Sequence, residues 1–312
     1  MTSAASAASA SANLAARAQL TTRAAIASIF VALFLLAAKG WAVRQTGSVA
    51  MLGSLADTAL DVLASFITLL AVRWAALPAD EEHRFGHGKA EALSALVQVV
   101  LITISALAIA WRSLARFLTG DRTAGFESGA IVSILAIGAT FALLAYQRFV
   151  IRRTGSVAIA TDYVHYQSDI LLNLSVIAAL ALDQLLGWQL ADPVFGFLIA
   201  LWLLYGAWKA ASHSVDHLMD REWDDETRDR LIEMIRSHPE LHGIHELRTR
   251  RSGGHDFVQF HIWLEPDIGL AEAHRIMDEV EAMIVREFPG TEVLIHPDPS
   301  GLAEPGQDVL RT

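Results

Sequence analysis

The chain has 312 residues, 53% of them hydrophobic and 19% charged, with a formal net charge of −10. That is too apolar for an ordinary water-soluble domain. The acidic balance argues against nucleic acid as a partner, and the absence of cysteine excludes disulfides, thiolate nucleophiles and thiolate metal sites.

The charge is unevenly spread. Residues 1–210 carry 14 Lys/Arg and 12 Asp/Glu, whereas residues 211–312 carry 10 and 22, together with nine of the twelve histidines. An acidic, histidine-rich part suits cations, and equally suits a solvated face. Residues 1–20 are rich in Ala and Ser, with Arg17 as their only charge. They read as a disordered tail, although a mitochondrial transit peptide shares the composition.

A bilayer core takes about 20 apolar helical residues. Six stretches qualify: Ala24–Val43, Val49–Val72, Leu93–Trp111, Gly129–Tyr146, Val157–Leu182 and Val194–Trp208. The expected fold class is a membrane all-α bundle of six transmembrane helices over residues 21–210. An even number of spans leaves both termini on one side. Connections on that side hold Arg17, Arg23, Arg73, Arg84, Lys89, Arg148, Arg152, Arg153 and Lys209, against Arg44, Arg112, Arg116 and Arg122 opposite. The positive-inside tendency then places the termini in the cytoplasm. The expected location is the cell inner membrane, with the mitochondrial inner membrane as the alternative.

A repeat lies inside these spans. Thr46–Asp61 reads TGSVAMLGSLADTALD and Thr154–Asp169 reads TGSVAIATDYVHYQSD. At matching offsets the first copy has Asp57 and Asp61, and the second has His165 and Asp169. Positions i and i+4 share one helix face. A mid-bilayer carboxylate costs about 2.5–3.5 kcal/mol, and Lys39, near the outer end of the first span, is the one basic residue at hand. A divalent cation resolves the cost, and a tetrahedral N/O set suits zinc. Asp162 lies nearer the cytoplasmic start of its span and is left out of the set.

The loop after the second span reads PADEEHRFGHGKAE from Pro78 to Glu91. Its Asp80, His83 and His87 are spaced to gather three ligands at a turn; the same spacing describes a solvated polar loop with two surface histidines. Beyond Trp208, Asp224–Ser237 reads as an amphipathic helix, Ile244–Arg251 as a strand and Arg251–His255 as a turn. Phe257–Glu265 alternates: Val258, Phe260, Ile262 and Leu264 face one way, Gln259, His261 and Trp263 the other. Leu270–Phe288 reads as a helix and Thr291–His296 as a third strand. The order αββαβ over residues 211–300 suggests a ferredoxin-like α+β domain, with residues 301–312 as a second disordered tail.

The paired ligands on spans two and five, the six spans, the acidic tail and the FGHGKAE loop together resemble the cation diffusion facilitator family, over about residues 20–300. The resemblance implies proton-coupled export of Zn²⁺ by a homodimer in a lipid bilayer, through Asp57, Asp61, His165 and Asp169. Cd²⁺, Fe²⁺, Co²⁺ and Mn²⁺ are the alternative metals. It makes Asp80, His83 and His87 a second zinc site. It implies a two-metal cytoplasmic site at the dimer interface, from His245, His261, His274, His296 and a bridging Asp298. His213, His217, His238, His242 and His255 lack such context and read as surface residues. Lys89 and Asp220, at the two edges of the membrane part, are candidates for a charge lock. A membrane metallohydrolase would need an open metal position, a general base and often an HExxH pattern; the chain has no such pattern, and the expectation is that it is not an enzyme. A metal sensor without transport is the competing reading, and it has no use for ligands at mid-bilayer.

Overall fold

The computed structural model describes residues 2–46, 49–119, 130–188, 190–301 and 309–311. Arg122 and Gly129, used above to bound a loop and a span, lie outside the described residues. The chain divides into two compact units, one of residues 18–77 and 89–215, the other of residues 1–17, 78–88 and 216–312.

The first unit is built from six long helices: α1 (Thr2–Thr46), α2 (Val49–Ala75), α3 (Ala90–Thr119), α4 (Ala130–Thr154), α5 (Val157–Leu186) and α6 (Ala191–Leu218). Each expected span falls on one of them. Among the described residues, four segments are long and apolar enough to cross a membrane: Ala15–Gln45, Asp57–Ala75, Ala90–Thr119 and Pro193–Leu218. The expected disordered tail of residues 1–20 is instead helical from Thr2. Alanine has the highest helix propensity, and the Ala-rich composition that suggested disorder also propagates α1 backwards.

The second copy of the repeat, Thr154–Ser156, is a helix stop and start. In the second copy Gly155 takes a left-handed φ of +65°, open to glycine at little cost, and its N–H bonds Ile151 O at 2.8 Å. Ser156 Oγ then caps α5 by accepting from the Ile159 N–H at 3.3 Å, and it donates to Glu91 Oε2 on α3 at 2.5 Å.

This bundle buries a set of polar groups among its apolar ones and turns large apolar side chains outward. Ser28, Ser65, Thr68, Gln98, Gln147 and Asp162 are buried, while Phe30, Leu60, Phe66, Phe141 and Leu198 are exposed. Water would select the reverse; a hydrocarbon solvent selects this one, because polar groups there must be satisfied by protein.

The second unit holds α7 (Asp225–Arg236), β1 (Gly243–Ser252), β2 (His255–Leu264), α8 (Leu270–Glu287), β3 (Thr291–Pro299) and β4 (Val309–Arg311). Asp224 caps α7, its Oδ1 accepting from the Thr227 N–H at 3.0 Å. The sheet order is β3-β2-β1-β4. β1 and β2 form an antiparallel hairpin, β2–α8–β3 is a parallel crossover, and β4 runs antiparallel to β1. The strand β4 falls in the expected C-terminal tail. It is three residues long and follows a Gly/Pro-containing stretch, so periodicity gave no sign of it. Helices α7 and α8 cover one sheet face, burying Leu231, Ile235, Ile276, Val280 and Ile284 against Ile244, Val258, Phe260, Ile262 and Leu264. The alternation expected in β2 holds, except that Trp263 is buried on the opposite face, where its ring lies 4.7 Å from that of His245.

Candidate metal centres

Among the described residues, three groups of acidic and histidine side chains bring one ligand atom each to within 4.8 Å of one another: Asp61, His165 and Asp169; Asp80, His83 and His87; and His245, His261 and Asp298.

The first group joins α2 to α5. His165 Nε2 lies 2.9 Å from Asp61 Oδ1, and both side chains are largely buried. Asp57, one turn earlier on α2, is exposed and outside that tight group. It nevertheless lines the same cavity, of about 540 Å³, as Asp61, His165 and Asp169. Lys39 also lines it, donating to Thr58 Oγ1 at 2.7 Å, as do Arg112 and Arg116. Spans and charge counts could not place those three cations beside the acidic group; their sharing of one cavity is set by how α1, α2 and α3 pack. The cavity occupies the half of the bundle formed by the C-terminal parts of α1 and α3 and the N-terminal parts of α2, α4 and α6. The other half is packed shut by Ala24, Ala25, Leu69, Val72, Val150, Ala158 and Ile159.

The second group lies on the loop after α2. Asp80 Oδ1 accepts from the backbone N–H of Glu82 at 3.0 Å and of His83 at 2.6 Å. Those bonds, the His83 one foremost, hold its carboxyl below the usual range and keep it ionised. His83 Nδ1 is 3.4 Å from Oδ1 and His87 Nε2 is 3.3 Å from Oδ2. The loop is fastened to the β1–β2 hairpin. Arg250 stacks over Phe85 at 4.5 Å and Phe257 at 4.3 Å, and Gly88 packs against the backbone of Ser252 and Gly253. Asp220 is 3.4 Å from Arg250 within this same unit.

The third group is set by strand register. His245 on β1 pairs with His261 on β2, which pairs with His296 on β3. Three histidines thus stand in one row on the face opposite the helices, with ring centroids 5.0 Å and 4.6 Å apart. Asp298 follows two residues after His296 on the same face. Its Oδ2 is 3.1 Å from His245 Nε2 and 2.8 Å from His261 Nδ1, and its Oδ1 is 3.3 Å from His296 Nε2. One carboxylate therefore reaches all three rings. Burial holds His245 below the usual histidine pKa, which favours the neutral, ligating form. A bulge between His245 and Arg248 puts Glu246 at φ 50° and its Oε2 3.8 Å from His261 Nε2. Sequence periodicity could not locate that bulge.

His274 is not brought to this row. It sits on α8, in the helical layer, exposed and 3.6 Å from Asp278. Of the histidines expected at the surface, His238 is buried instead, with Nε2 3.4 Å from Glu279 Oε2.

The description "cation efflux transmembrane domain" matches residues 25–219, and "cation efflux protein, cytoplasmic domain" matches residues 223–300. The chain belongs to the cation efflux family. This is the cation diffusion facilitator family that its motifs resemble. It is 41% identical over 289 residues to the cation-efflux pump FieF of Klebsiella pneumoniae, covering 93% of this chain and 96% of that protein. It is equally 41% identical over 281 residues to the FieF of Escherichia coli strain K12, covering 90% and 93%. A solved chain described as the Zn form of the putative zinc transporter CzrB is 34% identical, covering 27% of this chain and 98% of that one, with a TM-score of 0.25. The family thus accounts for both the apolar helical part and the small sheet that follows it.

Proposed function

We propose that this chain exports divalent metal cations, Zn²⁺ foremost, from the cytoplasm in exchange for protons. The observation that carries the reading is the convergence of Asp61, His165 and Asp169 from α2 and α5 inside a cavity that Asp57 also lines. Carboxylate oxygens with one imidazole nitrogen make an N/O donor set that suits zinc. The FieF relatives are named as cation-efflux pumps, which supports efflux without choosing the metal. All six long helices cross the membrane in this reading, including α4 and α5. The bacterial relatives and the positive-inside balance favour an inner membrane with cytoplasmic termini. In this reading the chain works as a homodimer, in which His274 of each chain completes the second metal position of the Asp298 site.

The cavity then opens away from the cytoplasm, and the packed half around Val72 and Ile159 is the closed cytoplasmic side. Transport consists of closing the first and opening the second around the same ligands. Protons compete for those ligands, and the His165 imidazole is the natural exchanger because its ordinary pKa is near 6.5. The loop and cytoplasmic clusters bind zinc to set or sense the state of the soluble unit.

The test is zinc uptake into proteoliposomes under a pH gradient, with manganese and ferrous iron alongside. Wild type should move zinc and Asp61→Ala should not. A wild type that binds zinc through its cytoplasmic cluster without moving any metal would refute transport and favour a sensor. His165→Asp with unchanged pH dependence would refute the assignment of the coupling residue.

A further inference from the structure

Asp162 is fully buried in the packed half of the bundle, one turn before Tyr166 on α5. Four helices meet around it. Its Oδ2 accepts from Ser28 Oγ on α1 at 2.7 Å and from Gln147 Nε2 on α4 at 2.8 Å. Gln147 Nε2 also donates to Ser28 Oγ at 3.0 Å. Tyr166 donates from its hydroxyl to Ser28 O at 3.2 Å and shares a 2.9 Å bond with Ser65 Oγ on α2. Asp162 Oδ1 and Gln147 Oε1, both buried, have no hydrogen-bond partner among the described residues.

An ionised carboxylate is poorly served by this environment. One oxygen has two neutral donors and the other has none, and no lysine or arginine pairs with it among the described residues. A buried charge needs a partner or it neutralises. The groups that α1 and α4 present to it, Ser28 and Gln147, carry no charge. The titratable groups whose charge reaches it are His165 on its own helix and Asp61 on α2, and these belong to the metal set and balance one another as a bonded pair. Tyr166, the remaining ionisable neighbour, bonds Ser65 and the Ser28 carbonyl.

We propose that Asp162 is a proton-binding site distinct from the metal ligands, which takes its proton more readily when α1, α4 and α5 are packed together as they are here. The ligand is a single proton on a carboxyl group that Ser28 and Gln147 hold in place. Opening this half of the bundle would hydrate Asp162 and release the proton; closing it would take one up. The buried acid thereby links a proton to the movement of the closed half, not to ligand exchange at the metal. Only the side to which the proton is released rests on the efflux reading given above.

The experiment is infrared difference spectroscopy of the full-length protein in detergent, zinc-free and zinc-loaded. The wild type, titrated from neutral to mildly acidic pH, should gain the carbonyl band of a protonated carboxylic acid that Asp162→Asn removes completely, since Asn keeps the shape and the acceptor. The band should survive zinc loading and survive Asp61→Asn. Ser28→Ala, which deletes a donor to the charged form, should move the band's midpoint to higher pH. A wild type minus Asp162→Asn spectrum without such a band, or a band that zinc abolishes, overturns the proposal. Should Asp162→Asn fail to bind zinc and so fail the folding check, an unmoved midpoint in Ser28→Ala overturns it independently. None of these readings requires transport, so their failure is separate from failure of the efflux reading.

Discussion

Gly88→Ala should release the metal-binding loop from the soluble unit. An added Cβ at position 88 would sit 2.6 Å from the Ser252 carbonyl oxygen and 2.7 Å from Gly253 N. These are backbone atoms, so no rotamer change relieves the overlap. Overpacking of this kind costs about 1–3 kcal/mol. The alternative is for the loop to lift away. That gives up the Arg250 stack on Phe85, worth about 0.5–1 kcal/mol at an exposed site. It also gives up the edge contact of Phe85 with Phe257 at 5.7 Å, worth about 0.5–1.5 kcal/mol. Both routes fall in the same range. If the clamp pre-orders Asp80, His83 and His87, its loss is repaid from zinc binding, and at about 1.4 kcal/mol per decade the loop-site affinity should fall roughly 5- to 150-fold. The assay is a zinc isotherm in detergent, on a background where Asp61→Ala and His261→Ala silence the other two clusters. Tryptic cleavage after Arg84 should accelerate in parallel. Ser252→Ala is the control and should change neither, because the clash involves its backbone. Wild-type affinity and wild-type cleavage in Gly88→Ala would show that the loop is ordered by something other than this contact.

Asp298→Asn removes the one carboxylate that reaches His245, His261 and His296, and should weaken zinc at the cytoplasmic cluster by at least about 100-fold, the upper end for loss of an outer-shell partner; equilibrium dialysis reads it, and a loss under tenfold would exclude Asp298 as a ligand. Asp224→Ala should cost about 1 kcal/mol through the lost α7 cap. The Thr227 N–H holds the Asp224 carboxyl low, so that stability is complete above the unfolded value of about 3.9 and disappears as pH falls through the lower folded value; urea midpoints that change equally for wild type and variant across that window would refute it. His245 has the opposite charge logic. Burial depresses its folded pKa, so the unfolded chain takes the proton first, and zinc-free stability should decline as pH drops below about 6.5, by at most about 1.4 kcal/mol per pH unit. His245→Gln should flatten that slope, and a slope that survives it belongs to another group.

The position of each helix and of the first three strands was legible because each carries its own period and punctuation, while the N-terminal extension of α1 to Thr2 was not. Val258, Phe260, Ile262 and Leu264 alternate and are buried; Asp224 and Thr227 announce α7. What was not legible depends on pairing between elements. The row of His245, His261 and His296 needs the β1–β2 register and the parallel β2–β3 register together, and local sequence encodes neither. The bulge at Glu246, the buried state of His238 and the strand β4 are likewise decided by partners far along the chain. Asp162 was visible as a residue, but its set-aside position near a span end concealed its burial. Only the packing of Ser28 and Gln147, from the earlier helices α1 and α4, takes it out of water.

The repeat itself carries a geometric lesson. Asp57 and His165 lie at equal offsets from their TGSVA elements, as do Asp61 and Asp169, and equal offsets suggest matching neighbours. The helices run in opposite directions, however: Leu69 and Val72 of α2 share a core cluster with Ala158 and Ile159 of α5, so numbers rise along one helix as they fall along the other. The later member of the first pair, Asp61, therefore meets the earlier member of the second, His165, at 2.9 Å. Asp57 is left one turn toward the cavity, exposed, on the side where Asp169 completes the ring of donors. An inverted pair of segments with one i, i+4 face each thus yields four donors in two layers. The layer holding Asp61 and His165 adjoins the packed half, and the layer holding Asp57 adjoins the open one. In the proposed export, a cation held by these donors would leave toward the open half past Asp57, the member nearest the cavity mouth.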